Sequence, residues 1–253
     1  MENSKLARAN NELRITELVP VSGDYESPIS NLQSPISNSA LRHRITFATR
    51  RTLAYVSVLE LGRIWERSLR RAGVPLKYSQ GYNPRPKLNF AAPLPVGCGS
   101  DADLMDILLA ESRTSADILS ALADNTPDDL TVLDVIAVPE GEPALSEQLI
   151  AAEYRVWLRD AARNDVQSAV DAFLASEAMP MAKRGRKYRG KTYDLRPLIE
   201  DLRVEDAPTP WIGLWMRVHA CPGATGRPDE VLKALNLIDA PRRCTRSRLI
   251  LSL

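Results

Sequence analysis

Hydrophobic and polar positions alternate in two different ways along the chain, and together the two patterns predict a mixed α and β fold. Near residue 41, Ile45 and Phe47 fall on one side of a stretch with period two, which is typical of a half-buried strand. Residues 53–72 instead carry apolar side chains near helical spacing with arginines between them, and Gly73 ends this predicted helix. The remaining elements predicted for the first half are strands at residues 88–95, 103–109 and 130–138 and a helix at residues 116–123. The order β-α-β-β-α-β is that of a ferredoxin-like domain, in which two helices pack on one face of a four-stranded antiparallel sheet.

The second half of the chain repeats this order less clearly. Its predicted elements are strands at residues 152–158, 211–219 and 246–253, helices at 164–175 and 227–237, and a short helix or irregular segment at 194–204. The predicted fold class is therefore α+β, with tandem ferredoxin-like (βαββαβ) domains at residues 41–140 and 141–253, each built on an antiparallel sheet. Residues 1–40 contain a near-repeat, SPISNLQ followed by SPISNSA, and we predict a disordered, low-complexity tail there.

Composition argues against several classes of protein. Hydrophobic residues make up 44% and charged residues 26% of the 253 residues, which is enough to build a core and argues against wholesale disorder. No apolar run approaches the roughly 18 residues of a membrane-spanning helix, and the polar start of the chain lacks the apolar core of a signal peptide. We therefore expect a soluble, cytoplasmic protein without a membrane partner.

The three cysteines, Cys98, Cys221 and Cys244, are odd in number and widely spaced. From this spacing we expect neither a disulfide framework nor a CxxC-type zinc or iron–sulfur site, and we interpret each cysteine as a small buried or half-buried residue. Because the chain has only two histidines, His43 and His219, the sequence predicts no metal site and no cofactor.

The net charge of +1 hides an uneven distribution along the chain. Residues 41–100 carry eleven Arg and Lys against two Glu, a net +9, whereas residues 101–150 carry one Arg against twelve Asp and Glu, a net −11. Residues 181–200 return to a net +5, with seven cations against two acids. One interpretation is that these are solvated faces that neutralise each other in the fold. The other is that the two basic segments converge on one surface and bind phosphate.

Segment 78–87 combines two tyrosines with glycine, asparagine and two prolines, which predicts a loop held stiff by fixed φ angles. We expect Gly81 to adopt positive φ in this loop. Tyr78 and Tyr82 offer aromatic faces for base stacking beside cations that suit phosphates, so the loop is a candidate for RNA binding. The alternative is that both tyrosines pack beneath the loop.

A second basic element, residues 183–191, interleaves cations with one tyrosine and two glycines that let the backbone approach a ligand. A solvated loop is the alternative interpretation. The predicted RNA-binding set draws on the flank of the first helix and on both loops, and we assign no catalytic residue. Its members are Arg63, Arg67, Arg70, Arg71, Lys77, Tyr78, Tyr82, Arg85, Lys87, Lys183, Arg184, Arg186, Lys187, Tyr188, Arg189 and Lys191.

The run of residues 66–87, continued by the proline-rich segment 93–97, closely resembles the radical-SAM-linked protein family, domain of unknown function 2344. Residues 192–197 and 226–228 resemble later motifs of the family, so the resemblance spans roughly residues 42–251. It implies that the chain is a companion of a radical-SAM enzyme.

The chain departs from the family pattern at two places. Ser57-Val58-Leu59-Glu60 lacks the histidine of the family's serine-histidine-leucine-aspartate element, and Arg85 stands where the family's Pro-His-Pro-Lys has its histidine. The chain also has no CxxxCxxC cluster loop, so a radical-SAM partner has to be a separate chain.

The leading hypothesis is a non-catalytic accessory protein of a radical-SAM enzyme that binds RNA through its basic and aromatic loops. One alternative is a protein–protein docking module that binds no nucleic acid. Another is a metal-independent RNA-processing enzyme, for which His43, Tyr78, Tyr82 and Lys87 are the acid–base candidates. The absence of histidine at both motif positions argues against that last alternative.

Overall fold

The structure is a computed structural model that describes residues 39–183 and 185–252. The predicted tail at residues 1–40 lies outside the described residues except for Ser39 and Ala40, which begin the first strand. The described chain is a mixed α+β structure with few helices and a mostly antiparallel sheet.

The first half follows the predicted order of elements. These are β1 (Ser39–Thr49), α1 (Val58–Arg71), β2 (Leu88–Phe90), β3 (Cys98–Thr114), α2 (Ser115–Ala123) and β4 (Leu130–Ala137). α1 begins later than predicted because Arg51–Tyr55 forms a 3-10 turn and Ser57 caps the helix. The Glu60 amide donates to the Ser57 hydroxyl, and the Ser57 amide donates to the Glu60 carboxylate, so this is a capping box. The strands lie in the order β4-β1-β3-β2, each antiparallel to its neighbour.

The second half has its own set of four long strands and two main helices. Its elements are α3 (Leu145–Gln148), β5 (Leu149–Arg159), α4 (Arg163–Ala175), β6 (Pro180–Ala182), β7 (Thr192–Asp194), β8 (Ile199–Glu205), β9 (Trp211–Cys221), β10 (Ala224–Thr225), α5 (Pro228–Ala234) and β11 (Arg242–Leu251). The long strands lie in the order β11-β5-β9-β8, again antiparallel.

The prediction for residues 194–204 is wrong for most of its length. Ile199–Glu205 forms β8 at the side of β9, not a helix. A bulge between Ile199 and Asp201 shifts the register, so Ile199 and Leu202 are both buried although they are three positions apart. That spacing of apolar residues resembles a helix in the sequence.

Within the described residues, nine strands form one continuous sheet because β3 pairs with β11 across the two halves. This contact, which we call the seam, is a short parallel pairing of residues 98–100 with residues 244–246. One hydrophobic cluster packs between α1, α2 and the first half of the sheet, and a second packs between α4, α5 and the second half.

Two pairs of described side chains cross the seam. Cys98 and Cys244 form a disulfide with their Cα atoms 4.5 Å apart, so the prediction that the cysteines form no disulfide is wrong, while Cys221 is a half-buried free thiol. Arg246, which is 1% exposed, donates from Nε and Nη2 to Asp103 at 2.8 and 2.6 Å and also to the carbonyls of Ala92 and Pro93. The seam therefore fixes the segment that follows β2 as well as the two strands.

The described residues contain no helix that is long and apolar enough to cross a bilayer. The disulfide is of a kind found mainly in proteins of oxidising compartments. A cytoplasmic location stays a prediction.

Candidate nucleic-acid interface

The predicted stiff loop is a hairpin bonded to the sheet, which we call the hairpin 77–87. Across it, Tyr78 bridges to Pro86, the Ser79 amide donates to the Arg85 carbonyl at 2.8 Å, and the Lys87 amide donates to the Lys77 carbonyl at 2.9 Å. Its two arms also bond to β3, because the Lys77 amide donates to the Leu108 carbonyl at 2.8 Å and the Leu108 amide donates to the Lys87 carbonyl at 3.2 Å. The sheet therefore holds the backbone of the hairpin.

The two tyrosines of this hairpin have different environments. Tyr78 is half-buried and packs against the hydrophobic cluster of the first half, as the alternative interpretation expected. Tyr82 lies at the tip and is fully exposed. Gly81 beside it does not adopt positive φ, contrary to expectation.

The same hairpin carries three cations, Arg85 near the tip and Lys77 and Lys87 opposite each other at the base. The side chains of Lys77, Arg85 and Lys87 are exposed, and none of them forms an ion pair with another described residue. The hairpin thus presents an aromatic ring and uncompensated positive charge on a backbone held by the sheet.

The flank of α1 contributes a second part of the predicted set. Arg63, Arg67 and Arg70 follow one another at positions i, i+4 and i+7 of the helix, and all three are exposed. Arg70 pairs with Glu66 at 2.7 Å, and Arg71 donates to the carbonyl of Asn125 at 2.8 Å. Arg63 and Arg67 are therefore the more available cations of this flank.

Residues 183–191, the loop 183–191, connect β6 to β7. Gly185 and Gly190 have φ values of 96° and 78°, which only glycine adopts readily, and they bracket a 3-10 turn. Lys183 Nζ lies 5.9 Å from the centre of the Tyr188 ring. Of the other predicted residues, Arg186, Arg189 and Lys191 are exposed, whereas Arg184 and the side chain of Lys187 lie outside the described part of the chain.

A cavity of about 680 Å³ lies between this loop, segment 91–95, β5 and α5, and we call it the seam cavity because Arg246 lines it. Three tyrosine rings and three further charged side chains line it: Tyr154, Tyr188, Tyr193, Lys183, Arg227 and Glu230. The Tyr193 hydroxyl donates to the buried Glu230 carboxylate at 2.5 Å.

The residues predicted from the sequence do not include Tyr154, Tyr193, Arg227 or Glu230. They lie on β5, β7 and the start of α5, and only the tertiary fold brings them together. The local signals are the two family motifs at residues 192–197 and 226–228, which contain Tyr193 and Arg227.

Part of the acidic segment neutralises cations outside the predicted set. Asp106 accepts from Arg42 at 2.7 Å and from Arg44 at 2.8 Å, and Asp101 lies 3.6 Å from Arg50. Burial raises the pKa of Asp103, and the Arg246 guanidinium beside it acts in the opposite direction. Acids on β3 thus neutralise these three arginines, but Arg44 and Asp106 are buried, so only the Arg50–Asp101 pair lies on a solvated face.

His43 is fully buried against the first half of the sheet, and its ring nitrogens have no hydrogen-bond partner among the described side chains. Burial lowers the pKa of His43, which favours the neutral ring. A buried histidine is out of reach of a 2′-hydroxyl on the surface, so it does not suit RNA cleavage.

Comparison with known proteins gives a family and several distant structural neighbours. The family model described as "Uncharacterized protein conserved in bacteria", domain of unknown function 2344, matches residues 42–227. No protein of the curated set matches the sequence.

Among solved structures, the chain is similar to one in the crystal structure of a Cbf5-Nop10-Gar1 complex, with a TM-score of 0.45, 11% identity and coverage of 82% of this chain and 48% of that chain. It is also similar to one in the archaeal box H/ACA sRNP Nop10-Cbf5 complex, with a TM-score of 0.43, 10% identity and coverage of 86% and 50%. The chain spans about half the length of these matched chains.

Proposed function

Because the chain belongs to the family of uncharacterized bacterial proteins with domain of unknown function 2344, whose description names no activity, we propose its function from the site: it binds RNA without cleaving it. The hairpin 77–87 and the loop 183–191 are the contact elements. The observation that carries the proposal is the fully exposed Tyr82 at the tip of a hairpin that the sheet holds and that bears three cations without an ion-pair partner among the described residues.

The hairpin has the features that a single-stranded nucleic acid requires. A base stacked on an aromatic side chain contributes about 1–3 kcal/mol to affinity, and Tyr82 offers its whole ring for this. Arg85 and Lys87 supply charge for the flanking phosphates. Because hydrogen bonds to β3 already order the backbone, little conformational entropy is lost on binding.

The path of the chain supports a single surface that includes both basic elements. Lys87 leads through β2 into segment 91–93, and that segment lines the seam cavity together with Lys183 and Tyr188. The four positions from Lys87 to Ala91 span about 13 Å in an extended chain. A few nucleotides of a single-stranded RNA cover this distance. An RNA strand that contacts Lys87 is therefore only a few nucleotides away from the segment that lines the cavity with Lys183 and Tyr188.

We also propose the finer description of the fold as tandem ferredoxin-like units. Support comes from the strand orders β4-β1-β3-β2 and β11-β5-β9-β8, which both correspond to 4-1-3-2 within their halves. The domain limits 41–140 and 141–253 belong to this proposal. A radical-SAM enzyme as partner rests on the family resemblance alone.

Fluorescence anisotropy with a labelled single-stranded RNA tests the proposal. We expect Tyr82→Ala to weaken binding about tenfold, and Arg85→Ala with Lys87→Ala to weaken it further. The double variant should also make the dependence of log affinity on log salt shallower by about 1.4, because each lost phosphate contact removes about 0.7. The matched control is Arg113→Ala with Lys233→Ala, which removes two exposed cations elsewhere.

Two outcomes would overturn the proposal. If the hairpin variants bind RNA as the control does, the hairpin is not the contact element, and no binding at low salt would favour the docking hypothesis instead. Discrete cleavage products from RNA incubated with protein and chelator would contradict the non-catalytic assignment.

A further inference from the structure

We propose that the seam cavity binds one nucleotide unit, with its phosphate on Arg227 and Lys183 and its base against the tyrosine rings. This inference rests on the proposed function and extends it from the surface to a pocket. The ligand is a nucleoside monophosphate in its chemistry. It is either a free nucleotide or one unit of the bound RNA.

The size and lining of the cavity suit such a ligand. Its volume of about 680 Å³ falls within the range typical of small-molecule sites. Its wall combines three tyrosine rings with the apolar residues of segment 91–95. A planar base requires such flat, mainly apolar surfaces, together with a few polar groups that orient it.

Arg227 provides the main argument for an anion. Its side chain is half-buried and lines the cavity, and its guanidinium forms no hydrogen bond or ion pair with any other residue that the structure describes. Arg246 on the same wall is different, because Asp103 and the carbonyls of Ala92 and Pro93 engage its guanidinium. A partly desolvated cation without a partner is stabilised by a ligand that brings a phosphate.

Lys183 and the tyrosines complete the site. Lys183 lies near the face of the Tyr188 ring and lines the same cavity, so a second cation is available to the phosphate. The bond from the Tyr193 hydroxyl to the buried Glu230 holds the Tyr193 ring in place. Tyr193 and Glu230 are thus positioning residues for the wall that receives the base.

The cavity also lies on the proposed course of the RNA. Segment 91–93, which continues from the hairpin 77–87, forms one wall, and the loop 183–191 forms another. A strand that contacts both basic elements therefore passes the mouth of the cavity. Gly185 and Gly190 have no side chain, so the backbone of this loop can approach a ligand closely.

Calorimetric titration of the intact protein with nucleoside 5′-monophosphates, a nucleoside and inorganic phosphate tests this inference. We expect at least one monophosphate to bind with a dissociation constant below about 1 mM, and the nucleoside and phosphate alone to bind at least tenfold more weakly. Arg227→Gln should weaken monophosphate binding at least tenfold. Tyr188→Ala, a second variant at an exposed position, should also weaken it. The matched control is Lys233→Gln on α5, the helix that Arg227 precedes, which should change nothing.

The outcomes separate this inference from the proposed function. Monophosphate binding that survives Arg85→Ala with Lys87→Ala but fails with Arg227→Gln supports the cavity. No monophosphate binding up to about 10 mM, or inorganic phosphate binding as tightly as the nucleotide, overturns it. RNA binding that still depends on the hairpin would then leave the proposed function standing. If RNA weakens monophosphate binding, the nucleotide is a unit of the strand, and if both bind together, the ligand is a free nucleotide.

Discussion

The hairpin 77–87 and the loop 183–191 occupy equivalent places in the two halves of the chain but are held differently. Each follows the first long helix of its half and precedes the strand numbered 2 in the order 4-1-3-2. The hairpin therefore lies between α1 and β2, and the loop lies between α4 and β8. Both carry tyrosine and several cations. They differ in the partners of their backbones.

The hairpin bonds to β3, a central strand, through Lys77 and Lys87. The backbone bonds of the loop join its own residues, as from the Lys183 amide to the Lys191 carbonyl at 2.8 Å, and within the described chain none reaches the main sheet. From these bonding partners we expect the hairpin to be the more fixed of the two elements and the loop, which lines the seam cavity, to be the more adjustable.

The largest expected effect comes from breaking the seam, which holds segment 91–93 between the two elements. Arg246→Met leaves Asp103 buried without its partner, and we expect the free energy of unfolding to fall by about 3–5 kcal/mol in urea denaturation. Arg246→Met with Asp103→Leu should recover most of this loss. An equal loss in the double variant would show that the ion pair is not its cause.

Removing the disulfide should have the next largest effect. Cys98→Ala with Cys244→Ala frees two strands separated by 146 residues in sequence, and we expect unfolding free energy to fall by about 2–4 kcal/mol. Cys221→Ser is the control and should stay within about 0.5 kcal/mol. If a reducing agent leaves the urea midpoint of the unaltered protein unchanged, the bond does not contribute to stability in solution.

Amide hydrogen exchange directly measures how firmly the backbones of the hairpin 77–87 and the loop 183–191 are held. The Lys87 amide should exchange at least about tenfold more slowly than the Lys183 amide, after correction for intrinsic rates, which corresponds to about 1.4 kcal/mol more opening free energy. Both amides donate to a carbonyl at 2.8–2.9 Å, so the distance alone does not separate them. Equal protection would refute the distinction between a fixed hairpin and an adjustable loop.

The smallest effects distinguish the glycines of the two elements. Gly185→Ala places a side chain at φ of 96°, and we expect local stability, measured by exchange of the Lys191 amide, to fall by about 1 kcal/mol. Gly81→Ala should change stability by less than about 0.5 kcal/mol, because Gly81 lacks positive φ and has open space around it. The reverse order would mean that the hairpin is the strained element.

Elements that a local sequence pattern specifies could be predicted. A strand whose pairing register is shifted by a bulge could not. The periodicity of α1 and the alternation of β1 identified both, and the glycines and prolines of residues 78–87 correctly indicated an ordered turn. β8 was missed because its bulge imitates helical spacing.

Contacts between distant residues were hidden for a different reason. The disulfide and the Arg246–Asp103 pair depend on the parallel alignment of β3 with β11, which joins residues more than 140 positions apart. From the composition of the loops we predicted anion binding. The cavity beside Arg227 could not be foreseen, because segments far apart in the sequence form it.

The parallel alignment of β3 with β11 also determines how the chain can be divided in the laboratory. A fragment that stops at residue 140 would retain an unpaired thiol at Cys98, an aspartate without its counter-ion and a bare strand edge at residues 98–100. Uncovered edges of this kind recruit other chains. Aggregation of such a fragment would therefore reflect where it was cut and not a defect in its own half of the protein.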